Sequence, residues 1–337
     1  MRITKDRLIS LAKNFVLEET YRDKQIACIF LTGSALSENF LLNNTTDIDL
    51  ILIHRSKTQA ERRTQRINNQ IHYDCWTYPI RLFQDSKSLR TEPWIGSSFS
   101  GETLVLYDEG HWFEFQQAAI FSKFYSPEMR YQRCKPQLDK ARTDWLALDI
   151  LDDEPDWQEI VRYAAILESV GNIIAGMVSV PMPIRRFALQ LPDNAARLQK
   201  PGLADGLFDL YCPPSWQDFP WQSILEGWQA LWQQTGNLPD APADFQPFRQ
   251  DYYLQPVQLL VEEAPQAALW IVLQTLLEAW QYLQKRNIEP VYPLEHLLEP
   301  IHLGKKLFTQ RVEQLDAYLD AIEMSFEEWA KQQGLVL

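Results

Sequence analysis

The 337-residue chain has only four cysteines, Cys28, Cys75, Cys134 and Cys212, scattered with no CxxC or other metal-ligand spacing. That excludes a disulfide scaffold or a thiolate zinc site and fits isolated thiols in a reducing cytoplasm. The five histidines show no metal spacing either. No apolar run approaches the roughly 20 residues that cross a bilayer; the candidate AALWIVLQTLLEAW is too short and is broken by Gln274. The opening residues MRITKDRLISLAKNF are charged and amphipathic, without the apolar core and small residues of a secretory signal. The expectation is a cytoplasmic chain with no membrane association. Internal repeats and low-complexity tracts are also lacking.

Positive charge is scarce. The net charge is −13, and it is uneven: residues 1–125 hold 15 Lys+Arg and 15 Asp+Glu, whereas the remainder holds 17 and 30. Polyanion binding needs clustered Lys and Arg, so nucleic acid is not an expected partner of the second part. A cationic partner suits it, although acidity for solubility explains the same numbers.

What is present falls into two kinds of pattern. Residues 4–21 place Leu8, Leu11, Phe15 and Val16 at helical spacing. QIACIFLTG (25–33), DIDLILIH, IHYDCWTY (71–78) and ETLVLYDEG (102–110) read as four strands. ALSENFLLN reads as a short helix stopped by Asn43 and Asn44, and KTQAERRTQRINNQ as a polar helix or long connection. From about residue 112 the pattern is helical, cut by many prolines, with helices expected over 127–150, 157–179, 184–190, 220–235, 255–285 and 305–333 and a loop over 236–252. The expected architecture is α+β: a small mixed-sheet domain over 1–125, then a larger helical domain over 126–337.

The stretch LTGSALSENFLLNNTTDIDLIL carries the chemistry. Residues i and i+2 of a strand face the same side, so Asp47 and Asp49 sit together within an otherwise apolar strand. Two adjacent carboxylates repel unless a positive charge lies between them. Upstream, a strand ends in Gly33, whose lack of a side chain lets a ligand approach the backbone, and Ser34 opens a helix whose N–H groups and dipole suit an anion. A phosphate there would lie beside the aspartates, and a divalent ion would join the two. Mg²⁺ is the natural choice, since it prefers oxygen ligands and bridges carboxylates to nucleotide phosphates.

Gly-Ser, twelve residues, then Asp-x-Asp among aliphatics resembles the nucleotidyltransferase superfamily related to DNA polymerase beta. Its closest likeness is to the bacterial aminoglycoside (kanamycin-type) nucleotidyltransferases and minimal nucleotidyltransferases with a helical C-terminal domain. The resemblance implies that Gly33 and Ser34 hold the phosphates of ATP or another NTP. It also implies that Asp47, Asp49 and a third carboxylate hold two Mg²⁺ ions. Asp74, a lone acid among the β-formers of IHYDCWTY, matches the third; His72 and Trp76 share its face. One departure is that many relatives carry Arg and Gly shortly after the serine, where this chain has SALSEN with Glu38.

The implied reaction moves an NMP onto a hydroxyl of a small acceptor, aminoglycoside-like and cationic, and releases pyrophosphate. Glu168, a lone acid in an apolar helix with Asn172 on the same side, fits the family's general base; a half-exposed Glu at the edge of a core stripe is the competing and plainer account. Arg185 and Arg186, beside Phe187 after a proline turn, resemble the family's basic contact to the triphosphate; a surface arginine pair is the competing account. Arg62, Arg63 and Arg66 are open between phosphate or ribose contact and a solvated face. The acidic run LDILDDEPDWQE (148–159) could line a cationic-acceptor site or end as a solvated cap at Asp156. A toxin–antitoxin type enzyme acting on protein or tRNA, and a nucleotide-binding module without turnover, stay open as alternatives.

Overall fold

The computed structural model describes residues 3–148, 156–304 and 307–335. The chain is α+β, and it divides into two units: residues 1–129 with 241–256, and residues 130–240 with 257–337. The segment 241–256, expected in the helical domain, thus belongs with the sheet.

In the first unit, helix α1 (Lys5–Arg22) starts at an N-cap, Thr4, whose hydroxyl accepts the Arg7 N–H. Asp6 in its first turn and Arg22 in its last complement the helix dipole. Strands β1 (Ile26–Thr32), β2 (Thr46–His54), β3 (Glu61–Arg66), β4 (Ile71–Pro79) and β5 (Leu104–Asp108) form one sheet in the order β3-β4-β2-β1-β5. The β2–β4 pair is parallel and the other three pairs are antiparallel. Helices α2 (Pro93–Ser100) and α3 (Trp112–Phe124) flank β5 in sequence.

Side-chain alternation gives the sheet two different faces. Ile29, Leu31, Ile48, Leu50, Leu52, Tyr73 and Cys75 form one core with Leu8, Ala12, Phe15 and Val16 of α1. The opposite face is apolar at β1, where Phe30 meets Phe99 of α2 and Phe113 of α3 at ring distances of 4.9 and 4.7 Å. On β2 and β4 the same face bears Asp47, Asp49, His72 and Asp74.

Two local expectations are corrected. Residues 61–66 form a strand, not a helix or connection: Arg62, Thr64 and Arg66 pair with Trp76, Asp74 and His72 across the ladder. A polar strand lacks the apolar alternation that reveals most strands, but the turn is local: Asn68 Oδ1 accepts the N–H groups of Gln70 and Ile71. After Gly33 there is only a 3-10 turn, Ser34–Leu36, instead of a helix. Asn43 and Asn44 both adopt left-handed φ (44° and 58°) and make a tight reversal, with Leu42 and Thr45 exchanging backbone hydrogen bonds.

The second unit is built from α4 (Pro127–Leu146), α5 (Trp157–Val178), α6 (Phe187–Arg197), α7 (Gly202–Asp209), α8 (Trp221–Gly236), α9 (Gln250–Glu263), α10 (Pro265–Gln284), α11 (Glu295–Leu298) and α12 (Phe308–Gln332), with α4 and α9 beginning in the first unit. The helix expected over 184–190 begins later and runs further, and that expected over 255–285 is two helices, because Pro265 restarts the chain as the first residue of α10. Its core centres on α10, whose Trp270 stacks on Phe187 at 4.2 Å. Helix α5 is long and apolar enough to cross a membrane, yet Ile166, Leu167, Val170, Ile173 and Ile174 along it are buried in this unit. Its N-terminus carries the expected cap: the Asp156 N–H donates to the Glu159 carboxylate at 2.8 Å. The acidic residues 149–155 of the run before it lie outside the described residues.

Candidate active site

The parallel register of β2 and β4 sets Asp47 opposite His72 and Asp49 opposite Asp74. Since Asp47 and Asp49 share a face, the three carboxylates converge: one oxygen of each lies within 4.8 Å of the others. Asp47 and Asp74 are buried and Asp49 half-buried. Thr32, the last residue of β1, pairs with Asp49, so Gly33 follows directly beside that carboxylate. Gly33 takes φ 77° and ψ −159°, a conformation open essentially to glycine. A Cβ there would stand 2.0 Å from Asp49 Oδ2.

The positive charge among these acids comes partly from the protein. Arg62 Nε and Nη2 donate to Asp74 Oδ1 and Oδ2 at 2.9 and 2.7 Å, a two-pronged pair. The same guanidinium reaches Asp244, with Nη2 to Oδ1 at 3.0 Å. Arg249, 1% exposed in its side chain, lies 3.3 Å from Asp74 Oδ2, 3.4 Å from Asp244 Oδ1 and 4.0 Å from Asp47 Oδ2. Its guanidinium sits over the Tyr252 ring at 4.6 Å. The Tyr252 hydroxyl donates to Asp47 Oδ2, and the Tyr253 hydroxyl to Asp244 Oδ1 at 2.9 Å. Trp76, next along this face of β4, is partly exposed and stacks on Tyr78 at 5.8 Å.

Titration follows from these contacts. Burial alone would raise the Asp244 carboxyl, but Arg62 and Arg249 outweigh it and hold it below its ordinary value. Asp49 goes the other way: burial first, then the charges of Asp47 and Asp74, push its carboxyl well above the carboxylate range. No side-chain hydrogen bond or ion pair is formed by Asp49 among the described residues. Among the described residues it is the acid of the three with no cation in direct contact, and its carboxylate occupies the space that a side chain at position 33 would take. Oxygen donors this close suit a hard divalent ion such as Mg²⁺, so the residues present fit the expected metal.

The structure therefore brings together Asp47, Asp49, Asp74 and Gly33, with Ser34 next in the chain. Ser34 begins a three-residue 3-10 turn, too short to supply the helix dipole expected there. Glu168, Arg185 and Arg186 belong to the second unit. Glu168 is half-buried on α5, and burial raises its carboxyl; Asn172 accepts the Met182 N–H at 2.8 Å. Arg186 precedes the first residue of α6.

Sequence reasoning missed Asp244, Arg249, Tyr252 and Tyr253. A signal existed in DFQPFRQDYYLQP: an arginine three and four residues before two tyrosines places all three on one side of a helical turn. Arg62, left open between ligand contact and solvation, instead binds carboxylates within the unit.

No protein-family profile matches the chain, and no curated protein sequence matches it. Among solved structures, the chain is similar to a nucleotidyltransferase-like protein from Exiguobacterium sibiricum 255-15, at 11% identity and a TM-score of 0.30, over 97% of this chain and 92% of that one.

Proposed function

We propose that this chain is a Mg²⁺-dependent nucleotidyltransferase that moves AMP from ATP onto a hydroxyl of a small cationic acceptor of aminoglycoside type. The observation that carries the reading is the meeting of Asp47, Asp49 and Asp74 beside Gly33.

In this reading Asp47 and Asp49 hold the metal, with Asp74 as the third carboxylate, and Gly33 with Ser34 receives the phosphates. When bound, the metal supplies charge neutralisation at the attacking and departing oxygens. The acceptor oxygen forms a bond to the α-phosphorus as the bond to pyrophosphate breaks, and the hydroxyl proton goes to a carboxylate base. Glu168 is the candidate base, and Arg185 and Arg186 the candidate contacts to the triphosphate, on the family resemblance described above. The half-exposed Trp76 and the acidic character of residues 126–337 support a ring-bearing, cationic acceptor. A cytoplasmic location remains part of the proposal.

The test is pyrophosphate release from each NTP with Mg²⁺, against aminoglycosides, tRNA and a small-molecule cell extract. Asp49→Asn should lower turnover by roughly 10³-fold, since a unit charge pair at about 4 Å and an effective dielectric near 20 contributes about 4 kcal/mol. Near-normal turnover in that variant would overturn the metal assignment. A second reading, nucleotide binding without turnover, draws on one observation: Arg62 takes both oxygens of Asp74. Mg·ATP binding with no pyrophosphate release across the whole panel would favour it.

A further inference from the structure

We infer that this site accepts a single divalent ion, between Asp47 and Asp49, and that Arg62 stands in the place of a second by holding Asp74 out of metal ligation. The inference rests on the reading of Asp47 and Asp49 as metal ligands.

Three observations lead there. First, Asp74 offers no oxygen that is unengaged: Arg62 takes both, at 2.9 and 2.7 Å, and Arg249 adds a contact to Oδ2 at 3.3 Å. A guanidinium fork matches a carboxylate in geometry as well as charge, so Arg62 competes directly with a metal ion for Asp74. Second, Arg62 is anchored on its far side. Asp244 accepts from Nη1 and Nη2 of the same guanidinium and is fixed in turn by Tyr253 at 2.9 Å and Arg249 at 3.4 Å. Withdrawing Arg62 from Asp74 would leave Asp244 short of its principal cation in a buried setting. Third, the charges match one ion. Asp47, Asp49, Asp74 and Asp244 against Arg62 and Arg249 leave a formal −2. One dication neutralises that without displacing Arg62. The uncompensated part of the charge lies at Asp49, whose side chain makes no hydrogen bond or ion pair among the described residues and lies against Gly33.

Segment 241–256 is therefore part of the metal site without being a ligand to it. Asp244 and Arg249 are positioning residues: they act through Arg62 and Asp74.

Counting bound ions separates this from the functional reading. The full-length chain, without nucleotide, is titrated with Mn²⁺ and free ion is followed by electron paramagnetic resonance. The wild type should bind one ion. Arg62→Lys keeps the formal −2 but cannot form the fork, so it should admit a second ion at least tenfold more tightly than the wild type does. Arg62→Gln should do so more strongly, and adding Asp74→Asn to either variant should return the count to one. Circular dichroism and urea midpoints establish that each variant is folded. If Arg62→Gln does not fold, Arg62→Lys decides. A wild type that binds two ions, or an Arg62→Lys variant that stays at one, overturns the inference and leaves the metal site standing. A wild type that binds none overturns both.

Discussion

Each unit contains an arginine surrounded by carboxylates, and the two clusters differ in how much water reaches them. In the helical unit Arg142 pairs with Asp316, Asp320 and Glu323, whose side chains are 41%, 65% and 37% exposed. In the sheet unit Arg249 lies between Asp47, Asp74 and Asp244, at 1% exposure against 11%, 7% and 16%. Contacts of the same chemical type have different consequences. Exposed pairs exchange their partners for water at little net gain. Buried ones have no such exchange, so each charge depends on its partner and the cluster has one stable arrangement. The helical cluster trims a surface; the sheet cluster sets which acid is left to take a ligand.

The sharpest way to break this contrast is Arg249→Met. It leaves buried Asp74 and Asp244 with Arg62 alone, and the loss of unfolding free energy should be about 3–5 kcal/mol, read from urea denaturation. A loss under about 1 kcal/mol would put the two clusters on one footing.

A smaller effect should come from Asp49→Asn in metal-free protein. The Asp49 carboxyl titrates higher folded than unfolded, so the folded state holds more protons in the window between the two values. Wild-type stability should therefore fall as pH rises from about 4 through the folded value, and the loss should be complete above it. D49N should lack this contribution and be the more stable protein at neutral pH. Urea midpoints of both proteins from pH 4 to 8 measure it, and parallel curves would mean that Asp49 has a cation the geometry does not supply.

The least effect is expected from Arg142→Ala, within roughly 1 kcal/mol and reduced further by salt. A cost comparable with that of Arg249→Met would mean that exposure does not separate the clusters.

The fold was legible where apolar residues alternate or recur. DIDLILIH and IHYDCWTY are the strands β2 and β4, and the amphipathic spacing of Leu8, Phe15 and Val16 is α1. Strand β3 escaped notice because ERRTQR is polar on both faces: one side binds Asp74 and Asp244 through Arg62, the other binds Glu19 through Arg63. In place of the helix expected after Gly33 there is a 3-10 turn over Ser34–Leu36, and the two asparagines reverse the chain instead of ending a helix. The triad of acids could be proposed from strand pattern and family resemblance. Its arginines could not be assigned, since Arg249 lies 175 residues from Asp74 along the chain.

By itself the sequence determined which side chains share a face: the two-residue period of a strand is a property of the local backbone, so Asp47 and Asp49 had to sit together with Ile48 and Leu50 turned away. Only the tertiary structure decided that Asp74 stands opposite Asp49 and that Arg62 and Arg249 are the cations against it. Strand register and the partner of a buried charge depend on which distant segments are excluded from water together, and no local spacing encodes that.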